Sequence, residues 1–379
     1  MRILLACDKF KGTLTAPEVH ARLAPALTAA GHTVESVPIA DGGDGTVEAA
    51  VSAGFTRHTA EVTGPLSTPV TAVWAESAGT AVIEMAQASG LALVTSASGS
   101  APDAHTALTA TSAGTGELIA AALDAGCTEI VLGVGGSATT DGGAGMLTAL
   151  GVRLLDESGH PVPAGGVGLE HLARVDTADL HPRLREGSAH VILASDVENP
   201  LTGHQGAAAV YGPQKGAGPT EVERLDRALE RFAARVPDGA HHAARTGAGA
   251  AGGMGFGAFA VLGAASVPGA DYVLDLVGFG RALGTAEAVV TGEGRFDEQT
   301  LSGKGPGAVI AAARAAGLRV HVVCGSSEIP ADQASGLGLA GIHTLTDLAA
   351  LADCLADPAP VLERLAAELL APALEAPAD

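Results

Sequence analysis

The sequence predicts an α/β protein of two domains, and three observations carry that reading. At 379 residues the chain is too long for one compact core. Short apolar runs alternate with helical patterns at both chain ends, the rhythm of parallel strands joined by crossover helices. Between those ends the rhythm breaks into short antiparallel strands and glycine loops. One domain is therefore expected from residues 1–60 and 271–379, with a mixed α/β domain, 61–270, inserted between. Two sequential domains split near residue 150 remain an alternative.

Element by element, the apolar run Arg2 to Cys7 predicts a first strand, followed by Asp8-Lys9-Phe10-Lys11-Gly12 and a helix. Thr15 is that helix's N-cap, Pro17 lies in its first turn, Glu18 is placed for a capping box, and Gly31 ends it. Val34 to Ile39 reads as strand two, before Asp41-Gly42-Gly43-Asp44-Gly45-Thr46 and a helix to Gly54. Residues 56–86 read as antiparallel strands, with turns at Gly64-Pro65 and Ser77–Gly79. A helix near 114–126 leads into the strand Glu129 to Val134 and a long glycine loop. His190 to Ala194 is a further strand, ending at Ser195-Asp196, and 220–235 a charged amphipathic helix. Strands at 287–291, 319–324 and 341–344 and helices at 306–316 and 360–370 restore the α/β rhythm, and the tail after Pro372 is expected to fray.

Composition narrows the function. A net charge of −21 leaves no basic stripe for nucleic acid and disfavours an anionic membrane. An acidic enzyme that binds an anion must build a local positive pocket against its own field. The four cysteines (Cys7, Cys127, Cys324, Cys354) form no CxxC pair and read as reduced core thiols of a cytoplasmic protein. The apolar run Ile3 to Cys7 is too short for a secretory signal. The uncharged stretch Thr246 to Ala270 is long enough to span a membrane. Its eight glycines and one proline speak against that, and its first half reads as a glycine loop.

The lysines are the sharpest chemical signal. Of 21 basic residues only Lys9, Lys11, Lys215 and Lys304 are lysine, and all four lie in glycine-bearing motifs. A compact, mobile point charge suits phosphate oxygens, whereas arginine presents a bulky planar fork. The loop Gly133 to Gly145 follows a strand and enters a helix, so its backbone N–H groups can converge on an anion, with Ser137 and Thr139 adding hydroxyls. Asp141 there could bind a cation or cap the helix. Asp41, Asp44, Asp196 and Asp297 sit at or just after strand ends, the ligand-binding edge of an open α/β sheet. Such carboxylates can take a hydroxyl proton or hold Mg²⁺ in phosphoryl transfer. Thr291 to Pro306 adds Glu293, Arg295, Asp297 and Lys304 between a strand and a helix, but with the wrong spacing for a Walker A loop. Gly247 to Gly252 matches GxGxxG without a preceding apolar strand, so a glycine loop over a ligand or plain helix packing fits better than a dinucleotide site.

Taken in order, Asp8 to Leu14, Asp41 to Thr46, Gly135 to Gly143, Ser195 to Leu201, Gly212 to Ala217 and Thr291 to Lys304 resemble the bacterial glycerate kinase family, which is unrelated to P-loop kinases. The resemblance covers essentially the whole chain. This chain departs from the family pattern at Lys9, Asp44 and Thr140, where serine, glutamate and asparagine are common.

The resemblance implies a flavodoxin-like domain and a restriction-endonuclease-like domain, with the active site in the cleft between them. It implies ATP-dependent phosphorylation of D-glycerate to 2-phosphoglycerate in the cytoplasm, with Mg²⁺. On that basis Arg295 and donors near Ser137, with Thr139 and Asn199, would bind glycerate, and Asp196 would accept the proton of the attacking hydroxyl. Lys11, Lys9, Lys215 and Lys304, with Gly216 and Glu293, would handle the nucleotide, and Asp41 or Asp297 the metal. The expected partners are D-glycerate and ATP, with neither nucleic acid nor membrane, and a homodimer is left open. Attack by the 3-hydroxyl, another small hydroxy acid, a non-catalytic anion binder and a dehydrogenase are the competing readings.

Overall fold

The computed structural model describes residues 1–301, 305–330 and 333–375. The chain divides into two compact units: Met1–Asp41, Glu48–Gly54 and Ala270–Asp379 form one, and Gly42–Val47 with Phe55–Gly269 form the other. Gly42–Val47, expected with the chain ends, thus packs with the second unit, as does 55–60.

The first unit is built on a five-stranded sheet in which every neighbour is parallel. Its spatial order is Thr33–Ser36, Arg2–Cys7, Ala288–Phe296, Arg319–Ser327, Gly341–Thr344. Counted along the chain within this unit the order is 2-1-3-4-5, the flavodoxin-like doubly wound arrangement. The first strand shows why it is apolar throughout: Ile3, Leu5 and Cys7 pack to one face, Leu4 and Ala6 to the other. Ala16–Ala29 and Pro358–Leu365 cover the first face through Val19, Leu23, Val361 and Leu362. Gly305–Ala315 covers the second through Val309 and Ile310. Strands buried on both faces read as unbroken apolar runs rather than alternations. The capping box forms as the sequence predicts: Glu18 N–H donates to Thr15 Oγ1 at 3.4 Å, and Thr15 N–H to Glu18 Oε2 at 2.8 Å.

Three readings in this unit change, the first being strand two, which covers Thr33–Ser36 rather than Val34 to Ile39. The strand expected at 287–291 runs Ala288–Phe296, because its parallel partner Arg319–Ser327 pairs with it as far as Phe296↔Ser327. Glu293 and Arg295 therefore stand on a strand, not a loop. Of the tail expected to fray after Pro372, the described part is helical within Ala371–Glu375, anchored by buried Leu374, and residues 376–379 lie outside the described residues.

The second unit carries a six-stranded mixed sheet, ordered Ala265–Val267, His190–Ala194, Glu129–Gly133, Thr80–Glu84, Pro69–Ser77, Thr56–Thr63. The first four of these run parallel and the last two are antiparallel additions. A separate antiparallel pair joins Arg153–Leu155 to Arg174–Asp176. Ala250–Leu262 forms a helix whose first turns carry left-handed residues at Ala251, Gly252 and Gly253. Among the described residues no helix is long and apolar enough to cross a membrane. All four cysteines are buried free thiols.

Candidate active site

In the first unit, ligands of a 2-1-3-4-5 sheet are expected where strand order reverses, between Arg2–Cys7 and Ala288–Phe296. The chain leaving the first strand stays close to its neighbour there, with the Asp8 N–H donating to Gly292 O at 2.8 Å. A Cβ on Gly294 would stand 3.2 Å from Lys11 N and 3.4 Å from Phe10 Cα, so glycine lets the two segments touch. Asp8 is buried at this edge, and its Oδ1 accepts from Lys9 N at 2.6 Å and Lys9 Nζ at 3.4 Å. Burial raises the Asp8 carboxyl to about 7; Asp41 and Glu293 push the same way, and Lys9 opposes them. The expected residues Lys9, Asp41 and Glu293 thus gather around a carboxylate that sequence reasoning did not single out. Its signal was its place, the first residue after an apolar strand. Lys11 is exposed on the same turn.

Arg295 and Asp297 lie farther along the same strand end. Arg295 is exposed and pairs with Glu328 and, at 3.8 Å, with Asp297 Oδ2. Asp297 Oδ1 accepts from Gln299 N at 2.9 Å and Thr300 N at 3.1 Å, so that oxygen caps the helix Glu298–Leu301. Arg295, Asp297, Glu298 and Glu328 line one cavity of about 650 Å³, where Arg295 is the single cation among the described lining residues. Lys304 lies outside the described residues.

In the second unit, the glycine loop and Asp196 leave the carboxyl ends of adjacent parallel strands, paired at Gly133↔Ala194. Backbones converge closely at this edge: a Cβ on Gly133 would be 2.5 Å from Gly42 O, and one on Gly135 2.7 Å from Gly43 Cα. Gly42 (φ +83°) likewise leaves only 2.6 Å to Gly269 Cα. The Gly269 N–H in turn donates to Asp196 Oδ1 at 2.8 Å. The Asp41 to Thr46 motif is therefore a wedge of backbone against the strand ends from Gly42 onward.

Within the loop, Asp141 is fully buried and accepts from Ser112 N (3.0 Å), Ser112 Oγ (2.7 Å), Gly143 N (3.1 Å) and Gly145 N (3.1 Å). Of its two expected roles, the turn-building one is filled. Lys215 is 1% exposed, and its Nζ donates to Ser137 Oγ at 2.8 Å and to Thr139 O at 2.6 Å. It lies beneath the loop rather than in solvent. Gly216 brings it there: at φ +95° its Cβ position is 2.5 Å from Asp103 O, so glycine is needed for packing. Asn199 is engaged too, Nδ2 donating to Gln205 O at 2.8 Å and Oδ1 accepting from Tyr211 Oη at 2.7 Å.

The Gly247 to Gly252 run also serves packing, since Cβ atoms would meet Pro200 O at 2.3 Å from Gly249 and Thr139 O at 1.9 Å from Gly252. Among the described residues, the buried hydroxyls of Thr139 and Thr140 have no hydrogen-bond partner. Together the two strand ends offer hydroxyl and backbone donors for an anion and a carboxylate able to take a proton.

The chain matches the glycerate kinase family model over residues 3–373. It is 41% identical to a glycerate kinase of Bacillus subtilis, over 98% of this chain and 97% of that protein. It is 43% identical to a glycerate 2-kinase of Escherichia coli, over 81% of this chain and 80% of that protein. A crystal structure described as a candidate glycerate kinase 2 from Salmonella typhimurium superposes with a TM-score of 0.81 at 40% identity, covering 99% of this chain and 98% of the other.

Proposed function

The chain belongs to the glycerate kinase family, kinases acting on an alcohol group, and on that premise we propose that it transfers the terminal phosphoryl group of ATP to the 2-hydroxyl of D-glycerate, giving 2-phosphoglycerate. The observation that carries the substrate half is the pairing Gly133↔Ala194, which sets the Ser137 loop and Asp196 on one edge of one sheet. Ser137 and the loop N–H groups hold the glycerate carboxylate, with the Thr139 and Thr140 hydroxyls as further donors. Asp196 accepts the proton of the attacking hydroxyl, while its bond from Gly269 N–H fixes the carboxylate's orientation. At the other strand edge Lys9 and Lys11 neutralise phosphate oxygens.

Mg²⁺ fits the donors at that edge. Burial raises the Asp8 carboxyl there and the Asp41 and Glu293 charges add to that, so a divalent cation would favour its ionised form. Among the described residues no group of three or more His, Cys, Asp or Glu forms a cage. A nucleotide-bound Mg²⁺ needs only one or two carboxylates beside the phosphates. Asp41 and Asp8 would hold the ion, which supplies neutralisation of the phosphate charge. Four buried free thiols suit a reducing compartment, and the reaction is assigned to the cytoplasm.

The test is to incubate the full chain with ATP, Mg²⁺ and D-glycerate and identify the product by ³¹P and ¹³C NMR. A 2-phosphoglycerate signal is expected. A 3-phosphoglycerate signal, or ATP consumption indifferent to glycerate, would overturn the proposal.

A further inference from the structure

We propose that Lys215 is a positioning residue for the substrate-binding loop: its ammonium, held beneath the loop, fixes the Ser137 hydroxyl as an outward donor and sets a positive charge behind it. The inference rests on reading the Ser137 loop as the glycerate carboxylate's anchor. A hydroxyl that accepts a hydrogen bond from an ammonium must send its own proton elsewhere. Lys215 Nζ donates to Ser137 Oγ at 2.8 Å, so the Ser137 O–H is left for a ligand. The second bond, to Thr139 O at 2.6 Å, ties the same cation to the next turn of the loop.

Nothing in the packing calls for a charge here. Among the described residues no carboxylate forms an ion pair with Lys215, and a buried cation without a carboxylate partner opposes folding. The loop backbone is pinned independently, by Leu91 N–H to Gly136 O at 2.8 Å and Ala138 N–H to Ser89 O at 2.9 Å. The loop backbone thus keeps ties of its own that do not pass through Lys215. The unpartnered buried hydroxyls of Thr139 and Thr140 point separately to a ligand that completes the site. Burial lowers the Lys215 ammonium to about 7, with Asp141 the one charged group opposing the shift. The charge behind Ser137 is then present below neutrality and lost above it.

The experiment measures kcat and KM for glycerate across pH 6–9, with thermal melts, for the full chain and for Lys215→Met, Ser137→Ala and the double variant. Lys215→Met is expected to melt no lower than the parent while KM for glycerate rises by roughly tenfold or more. The double variant should be no worse than the poorer single one, because the two groups act as one. In the parent, KM should rise above about pH 7, and in Lys215→Met that rise should vanish. A Lys215→Met protein with parental KM at every pH would overturn the inference, as would a parental KM flat across the range, which needs no variant. If Ser137→Ala leaves KM unchanged, it is the reading of the loop as the glycerate anchor that fails.

Discussion

His321 Nδ1 lies 3.2 Å from His343 Nε2, and the two rings stack with centroids 5.5 Å apart between neighbouring strands of the parallel sheet. Burial lowers both imidazoles, His321 from 6.5 to about 4 with His343 and Arg319 adding to the shift, while Asp347 partly opposes the shift of His343. The folded state stays neutral where the unfolded chain takes up protons, so stability falls as pH drops from about 6.5 towards 4. Buried His20, also lowered to about 4, adds in the same direction. In urea melts between pH 7.5 and 4.5 the parent should lose roughly 1–3 kcal/mol more than His343→Gln, whose slope lacks the pair. Equal slopes in both proteins would remove the pair from the explanation.

Asp8 works in the opposite sense. Its folded value, about 7, lies above the ordinary 3.8, so its contribution is most favourable below about pH 4 and is lost as pH rises through 7. Asp8→Asn removes a carboxylate that must ionise in a buried place. Without nucleotide or metal, that variant should be more stable than the parent at pH 8 by roughly 1–3 kcal/mol, and by little at pH 4. Its kcat should fall, since the carboxylate stands at the switch point of the sheet.

Asp196→Asn keeps the shape and an acceptor for the Gly269 N–H, so its melting temperature should match the parent's. Removing the base should lower kcat by about 10²–10⁴ with a smaller change in KM. Near-parental kcat in the folded variant would move the base to another residue.

Gly42→Ala should be costly at a position where no side chain does chemistry. Its φ is +83°, and the new Cβ would fall 2.6 Å from Gly269 Cα, a backbone atom that cannot swing aside. Gly12→Ala has nearly the same φ, +81°, with nothing within 4 Å, and so isolates the conformational term. Gly42→Ala is expected to lose stability by roughly 1–3 kcal/mol more than Gly12→Ala, and to lower kcat because Gly269 anchors Asp196. Parallel melts and rate measurements on both variants decide this.

The sequence made the parallel sheet legible because strands buried on both faces leave unbroken apolar runs, as in Arg2 to Cys7. The Thr15–Glu18 cap was legible because its spacing is local. Lys215 was not: a lysine beside glycine reads the same whether it faces solvent or the core, and Asp103, against which Gly216 packs, lies more than a hundred residues upstream. Asp8 carries no such mark because its character comes from burial, with Asp41 and Glu293 adding to it, and none of these effects exists before folding. Glu293 and Arg295 look like loop in the sequence because the length of their strand is set by a partner, Arg319–Ser327. The Asn199 bonds to Gln205 and Tyr211 lie within a dozen residues, yet no spacing rule distinguishes a structural asparagine from a binding one.

The pairing of Arg2–Cys7 with Ala288–Phe296 also sets a schedule for biosynthesis. The strand synthesised first must wait at the ribosome for a partner some 285 residues later. At about 5–20 residues per second that delay is roughly 14–57 s. Through that interval the apolar run Ile3-Leu4-Leu5-Ala6-Cys7 has only Thr33–Ser36, its parallel neighbour across the helix Ala16–Ala29, to pair with. The intervening strands from Thr56 to Val267 can meanwhile complete their own sheet. The nascent chain therefore carries an open β edge while its other unit is already complete, and the early strand is the segment on which a chaperone would have most to guard.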